Sequence, residues 1–224
     1  MNYFISDLHF CHTRVLTFTS EQAAIWREHG YNEFQEEKFA DINQYNETLI
    51  SRWNSKVKED DNVYILGDCG IGSTPKIIEC LKQLKGNKHL IKGNHDFRYK
   101  NMPEFTANFV DMQEQLRTGC SVNKENVTVF MSHYPLFDWD QKCHNYVGLY
   151  GHVHNVYIEN SEYLKGLYRV QALKTNVKSG MAVNVGAMMP WMNYCPQTLE
   201  EIYNNAAFQS INEKLKEEAL KDLK

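Results

Sequence analysis

Five short apolar runs in this chain are each closely followed by residues of the kind that bind metal ions. Asp7 and His9 come after Tyr3-Phe4-Ile5, and Gly67-Asp68 after Val63-Tyr64-Ile65-Leu66. Gly93-Asn94-His95-Asp96 follows His89-Leu90-Ile91, His133 follows the run 127–131, and Gly151-His152-Val153-His154 follows the run 146–150. Imidazole and carboxylate donors without thiolates suit Mn, Fe, Zn or Ni, and argue against a site reserved for Mg. The Asp-x-His spacing adds to this, because alternate residues leaving a strand point the same way. Asp7 and His9 are therefore expected to reach one ion together, and His152 and His154 to repeat the geometry. Gly67, Gly93 and Gly151 are expected where the backbone turns too close to the ions for a Cβ.

Positioning these residues requires elements that end together. The apolar runs are rich in aromatic and β-branched residues and stop at small or polar ones, which reads as strands. Helical periodicity lies between them. Phe39, Ile42, Leu49, Ile50 and Trp53 predict a helix over about 35–54, and Pro75 opens a second, capped by Ser73 or Thr74 and ended by Gly86. Thr198 and Glu201 form a capping box for a helix with Leu199, Ile202, Tyr203 and Ala206 on one face, and a charged, solvated helix is expected to run on to Lys224. The alternation predicts an α/β architecture, with antiparallel pairs in 112–131 and 156–185 making the sheet mixed. In such sheets the carboxyl ends of the strands form one rim where ligands bind, so seven donors spread from position 7 to position 154 can converge.

The 224 residues suit one domain spanning 1–224, with no repeat or linker to divide it. A net charge of -4 gives no basic field for holding an extended nucleic acid. The six cysteines form no CxxC pair and read as reduced thiols. There is no apolar run of about 18 residues and no secretory n-region, so neither membrane insertion nor export is expected and a cytoplasmic location is. Loss of a leader would also remove Asp7 and His9.

The ordered pattern Asp-x-His, Gly-Asp, Gly-Asn-His-Asp, His and Gly-His-x-His resembles the calcineurin-like metallophosphoesterases, through residues 1–155. Within that group, Asp7 to His12, the segment Val183-Asn184-Val185-Gly186 and the stretch 196–202 are similar to small bacterial and phage phosphoesterases that begin Asp-x-His-Phe-x-His. The resemblance implies a four-layer sandwich of two mixed sheets flanked by helices. It implies two divalent transition-metal ions, Mn first and Fe, Zn or Ni otherwise. One would be held by Asp7, His9 and His154, the other by Asn94, His133 and His152, with Asp68 bridging. Two such ions about 4 Å apart would share a hydroxide for in-line attack on a phosphate ester. His95, not a ligand, would stabilise charge on phosphorus or protonate the leaving oxygen, with Asp96 orienting its ring. One departure is informative: Gly67-Asp68 continues Cys69-Gly70-Ile71-Gly72, without the second carboxylate and the arginine of protein phosphatases.

Substrate identity is expected in loops at 10–35, 97–112 and 134–145, with His12 and Arg98 as candidate contacts. His29, His89 and His144 read as ordinary surface or core histidines, Cys11 and Cys69 as packing, and Phe10, Tyr134, Trp139, Trp191 and Tyr194 as rings that line a pocket for a base or pack in the core, most of them the latter. A small phosphodiester such as a nucleotide or cyclic nucleotide is the expected substrate; a nuclease, a phosphomonoesterase and a non-catalytic scaffold are the alternatives.

Overall fold

A computed structural model describes residues 1–139, 146–173, 181–221 and 223. Its elements, in chain order, are β1 (Asn2–Ile5), α1 (Val15–Glu28), α2 (Ile42–Lys56), β2 (Asn62–Ile65), α3 (Thr74–Lys82), β3 (Asn87–Ile91), α4 (Pro103–Thr106) and β4 (Asp111–Gln113). Then follow β5 (Gln115–Val122), β6 (Glu125–Ser132), β7 (Tyr146–Tyr150), α5 (Tyr157–Leu173), β8 (Ala182–Asn184), α6 (Leu199–Tyr203) and α7 (Ala206–Lys221). All five expected strands form. They sort into two four-stranded sheets, β1-β2-β3-β4 and β5-β6-β7-β8, flanked by helices.

The second sheet is mixed as expected, with β5 antiparallel to β6 and β6, β7 and β8 parallel. The first differs from the expectation of two mixed sheets, since all its strand pairs are parallel. An antiparallel contribution reaches it only as an isolated bridge between Phe4 and Gln197. The antiparallel pair predicted within 112–131 is the β5-β6 hairpin, but among the described residues of 156–185 no antiparallel pair is formed. There α5 occupies the first half and β8 runs parallel to β7. The reason is a helical stripe of Tyr157, Asn160, Ser161, Leu164 and Leu167, all buried, in which two polar members hide the apolar period.

The segment 10–35, expected as a loop, contains α1. Val15, Thr19, Ala23 and Trp26 are buried at steps of four, four and three, which is a helix face. Its Arg14 N-cap makes no side-chain capping bond, so no start signal advertises it. The helix predicted over 35–54 begins only at Ile42, because Asp41 accepts from the amides of Asn43 and Gln44 and fixes the first turn there. At α3 Ser73 holds the cap position without a side-chain bond, and Pro supplies the first turn.

The capping box at Thr198 and Glu201 is present, but the helix it opens stops at Tyr203 and Asn205 restarts the chain as α7. Nor is α7 a solvated helix. Phe208, Ile211, Leu215 and Ala219 form a buried stripe, and α7 packs along α5. The five described cysteines are free thiols, and no described helix is long and apolar enough to cross a membrane. Because α7 is held by its stripe, Leu215→Ala is expected to lower the unfolding free energy by about 2–5 kcal/mol in urea titrations, whereas exposed Lys216→Ala stays within about 0.5 kcal/mol.

Candidate metal centre

The two sheets meet where their strands end. Beyond β1, the amide of Ser6 donates to Val185 O at 2.8 Å and its carbonyl accepts from the Ala187 amide at 2.9 Å, joining the end of β1 to the end of β8. This seam places Asp7 beside the end of β7, where both its oxygens lie 3.1 Å from the His152 amide that donates to them. Nothing larger than glycine fits at 151, since a Cβ there would strike Ser6 Oγ and stand 2.6 Å from Asp7 Oδ2. At Gly67, φ is +90° and a Cβ would collide with the His133 ring, so both the conformation and the space require glycine.

The donors do not leave their strands by simple alternation, as the spacing had suggested. Asp7, His9, Asp68, His152 and His154 have φ of 55°, 47°, 56°, 70° and 47°, in the left-handed region. Each such residue costs roughly 1–3 kcal/mol and persists only where its surroundings enforce it. Here they do. The amides of Asp7 and His9 donate to Gly67 O and Asp68 O at 3.0 Å each, and Tyr45 donates its hydroxyl to Leu8 O at 3.0 Å. Asn184 Nδ2 donates to His154 O at 2.6 Å, while Asn160 supports Asn184 and reaches the same carbonyl.

Asp96 has a different role from orienting the His95 ring. Its carboxylate accepts from the amides of Asp68 at 2.8 Å, Cys69 at 3.0 Å and Gly93 at 2.9 Å. It ties the turn after β2 to the turn after β3, which explains why a carboxylate is buried there: three amide donors replace its water.

Two donor groups result. Ligating atoms of Asp7, His9, Asp68 and His154 lie within 4.8 Å of one another, and those of Asp68, His133 and His152 do the same. His9 Nε2 is 2.8 Å from His154 Nε2. Asn94 Oδ1 joins the second group, 3.0 Å from both His133 Nε2 and His152 Nδ1. Asp68 belongs to both groups. His95 belongs to neither, but its amide donates to Asp68 Oδ1 at 2.9 Å and its Nε2 stands 3.9 Å from Asp68 Oδ2. His12 Nδ1 lies 3.3 Å from His9 Nδ1, so the loop histidine is at the site. Arg98 is exposed on a one-turn helix, Asp96–Arg98, and no hydrogen bond or ion pair among the described residues links it to the donors.

Burial pushes the Asp7 carboxyl up to about 6, with the charge of Asp68 adding to it and His133 opposing. Burial holds His9 well below the usual imidazole range and brings His154 down to about 4; His152 is lowered for the same reason. These imidazoles are neutral at pH 7, which leaves lone pairs free for ligation. A carboxylate that resists ionising, set among neutral imidazoles with close-packed lone pairs, fits a divalent cation as the missing positive charge.

Sequence reasoning missed the supports, Ser6, Tyr45, Asn46, Asn160 and Asn184. Asn46 accepts from the Cys11 amide at 3.1 Å and Ser6 Oγ donates to Leu66 O at 2.6 Å. Of the five aromatics that the sequence leaves between pocket wall and core, Tyr134 is the one that is not core. That ring is 45% exposed and stands 5.0 Å and 4.7 Å from the His133 and His152 rings, whereas Phe10, Trp139, Trp191 and Tyr194 are buried as expected. A polar Asn between Val183 and Val185, at the last position of β8, was the available signal for Asn184. His29 stacks on Tyr157 and His89 lies 2.9 Å from Asp111, both ordinary roles, while His144 lies outside the described residues.

A family model for the calcineurin-like phosphoesterase superfamily domain matches residues 38–199. Asp7 and His9 precede that span. An uncharacterized protein of Methanocaldococcus jannaschii is 32% identical over 96 residues, 42% of this chain and 46% of that protein. The gene 66 protein of Mycobacterium phage L5 is 34% identical over 97 residues, 42% of this chain and 39% of its own length. The matched stretch thus spans less than half of each relative. A solved structure of a protein of unknown function from Aquifex aeolicus superposes over 91% of this chain and 97% of its own, with a TM-score of 0.57 and 20% identity. That likeness concerns the fold.

Because Asp7 must be ionised to take a cation and its carboxyl titrates near 6, metal affinity is expected to fall as pH drops through that value. Mn binding measured by calorimetry from about pH 7.5 to about pH 5 would show roughly tenfold weakening per unit below pH 6. Affinity flat across that range would contradict the assignment of Asp7.

Proposed function

The chain belongs to the calcineurin-like phosphoesterase superfamily, and from that premise we propose that it is a binuclear metal-dependent phosphoesterase acting on a small phosphodiester. One observation supports two cations rather than one: the Asp68 carboxylate falls within both donor groups. Asp7, His9 and His154 would hold one ion, Asn94, His133 and His152 the other, and Asp68 both. This imidazole and carboxylate set suits Mn, Fe, Zn or Ni, with Mn placed first on the family resemblance. Such ions would supply Lewis acidity toward phosphoryl oxygens and lower the pKa of a bound water.

The chain's own residues supply the rest. His95 has its backbone fixed by Asp68 and its side chain 32% exposed, so its ring can face substrate and donate a proton from Nε2 to a leaving oxygen. Asp96 contributes by holding the Asp68 turn in place. Tyr134 stands over the His133 and His152 side of the rim and can take an aromatic leaving group against its ring. His12, beside His9, can donate to a phosphoryl oxygen on the other side.

Small diesters are favoured over long nucleic acids by charge. Of the three cations near the third motif, Lys92 pairs with Glu114 at 2.6 Å, which leaves exposed Arg98 and Lys100, the latter 4.5 Å above the Phe97 ring, as too short a basic track for a long backbone. A diester, with a single charge, needs no guanidinium clamp of the kind absent after Asp68.

Elemental analysis after refolding with Mn is expected to approach two ions per chain, with Asp68→Asn losing both. His95→Ala is expected to keep its metal and lose about 10² to 10⁴ in kcat, and loss of metal in that variant would make His95 a ligand instead. With Mn present, kcat/KM for bis(p-nitrophenyl) phosphate is expected to exceed that for p-nitrophenyl phosphate. A monoester preference of about tenfold or more, some 1.4 kcal/mol in barrier, would overturn the substrate class, and cleavage of DNA or RNA with little action on small diesters would make the protein a nuclease.

A further inference from the structure

The turn from Asp7 to His12 is tied down along its length, and the ties set where His12 lies. The amides of Asp7, His9 and Phe10 donate to Gly67 O, Asp68 O and Cys69 O at 3.0 Å each. Cys11 stands at φ 66°, in the left-handed region, and Asn46 on α2 holds it there. Asn46 Oδ1 accepts from the Cys11 amide at 3.1 Å, and its Nδ2 donates to Cys11 Sγ at 3.7 Å. The His12 amide then donates back to His9 O at 3.1 Å, and His12 O accepts from the Val15 amide at 3.0 Å as α1 begins. The chain is folded back so that the two rings meet, with centroids 5.2 Å apart and Nδ1 3.3 Å from Nδ1.

A hydrogen bond between two imidazoles has a direction, since one nitrogen must carry the proton and the other must not. The donor group decides it here. His9 Nε2 lies among the ligating atoms, 2.8 Å from His154 Nε2 and 4.0 Å from both Asp7 Oδ1 and Asp68 Oδ2, so Nε2 is the nitrogen turned to a cation. A neutral His9 that offers its Nε2 lone pair keeps its proton on Nδ1. That proton needs an acceptor, because His9 is only 1% exposed and a buried N–H without one is costly. His12 Nδ1 is in place to take it. In accepting, His12 keeps its own proton on Nε2.

We propose that His12 is a positioning residue for the cation at Asp7, His9 and His154: its Nδ1 accepts the His9 Nδ1 proton, and so holds His9 in the tautomer and ring orientation that present Nε2 to the ion. The proposal rests on the metal-centre reading above and adds a role outside the donor set. Asn46 serves it indirectly, by keeping Cys11 in the conformation that turns His12 back onto His9. The same hydrogen bond fixes which atom of His12 can act on substrate. With Nδ1 accepting from His9, the proton that His12 could offer a phosphoryl oxygen is the one on Nε2.

The test compares His12→Ala, His12→Leu and His12→Asn with the wild-type chain by Mn calorimetry. Asn is the diagnostic variant, because its Oδ1 falls near the place of Nδ1 and accepts a hydrogen bond, whereas Leu fills similar space and accepts none. One Mn-binding step of the wild type is expected to weaken about 10- to 100-fold in the Ala and Leu variants and to be largely restored in His12→Asn. A second measurement needs no variant. Nitrogen-15 NMR of the diamagnetic Zn-loaded chain reads the tautomers directly, and is expected to show the His9 proton on Nδ1 and the His12 proton on Nε2. Unchanged Mn affinity in His12→Ala, rescue by Leu as complete as by Asn, or a His12 proton found on Nδ1 would each overturn the proposal. A wild type that binds no Mn would instead remove the metal-centre reading, and the proposal with it.

Discussion

Three carboxylates, Asp7, Asp68 and Asp96, sit in one rim with at most 1% exposure to water, and the rest of the structure depends on how their charge is compensated. Burial of an ionised carboxylate is tolerated only with donors or a counter-charge around it. Asp96 accepts from three backbone amides, which folds two motif turns onto each other, and burial still holds its carboxyl up at about 6. Asp7 receives the His152 amide and Asp68 the His95 amide; His9, which burial keeps neutral, lies 4.0 Å from both carboxylates, and His154, neutral for the same reason, lies 3.6 Å from Asp7. A deficit of positive charge is thus built into the rim at the two donor groups that share Asp68.

That arrangement constrains the backbone as much as the side chains. Donors from both sheets converge because β1 is stitched to the segment after β8 at Ser6, and the stitch brings Asp7 against Gly151 with no room for a side chain. The left-handed residues are the consequence. Asn160 of α5 and Asn184 at the end of β8 take up the His154 carbonyl, Asp96 takes the Asp68 amide, and Tyr45 of α2 takes the Leu8 carbonyl between Asp7 and His9. Strain at the donors is offset by this hydrogen bonding, and the donor positions are fixed before any cation arrives.

The sequence made the strands and the motifs after them readable because both signals are local: a β-branched run, then Asp, Asn or His with glycine beside it. It made α1 and α5 hard to read because each buries polar residues on its inner face, Thr19 in one and Asn160 and Ser161 in the other, which dilutes the apolar period. The charged tail read as solvated because its buried stripe is sparse and its partner, α5, was not recognised. Contacts that join distant segments were out of reach altogether. Nothing local says that Asp96 bonds to the amides of Asp68 and Cys69 rather than to a histidine ring, or that Asp7 and His9 leave their strand through left-handed backbone rather than by alternation. Tyr134 is one of five aromatics whose sequence surroundings leave pocket and core undivided, and it stands exposed over the rim.

The central claim is that a single carboxylate, Asp68, serves two cation positions at once. Electron paramagnetic resonance of the Mn-loaded chain tests it most directly, since ions sharing a ligand are magnetically coupled and ions in separate sites are not. The account predicts a coupled-pair spectrum in the wild type that is lost in Asp68→Asn. A spectrum of isolated Mn ions at full loading, unchanged by that substitution, would contradict it.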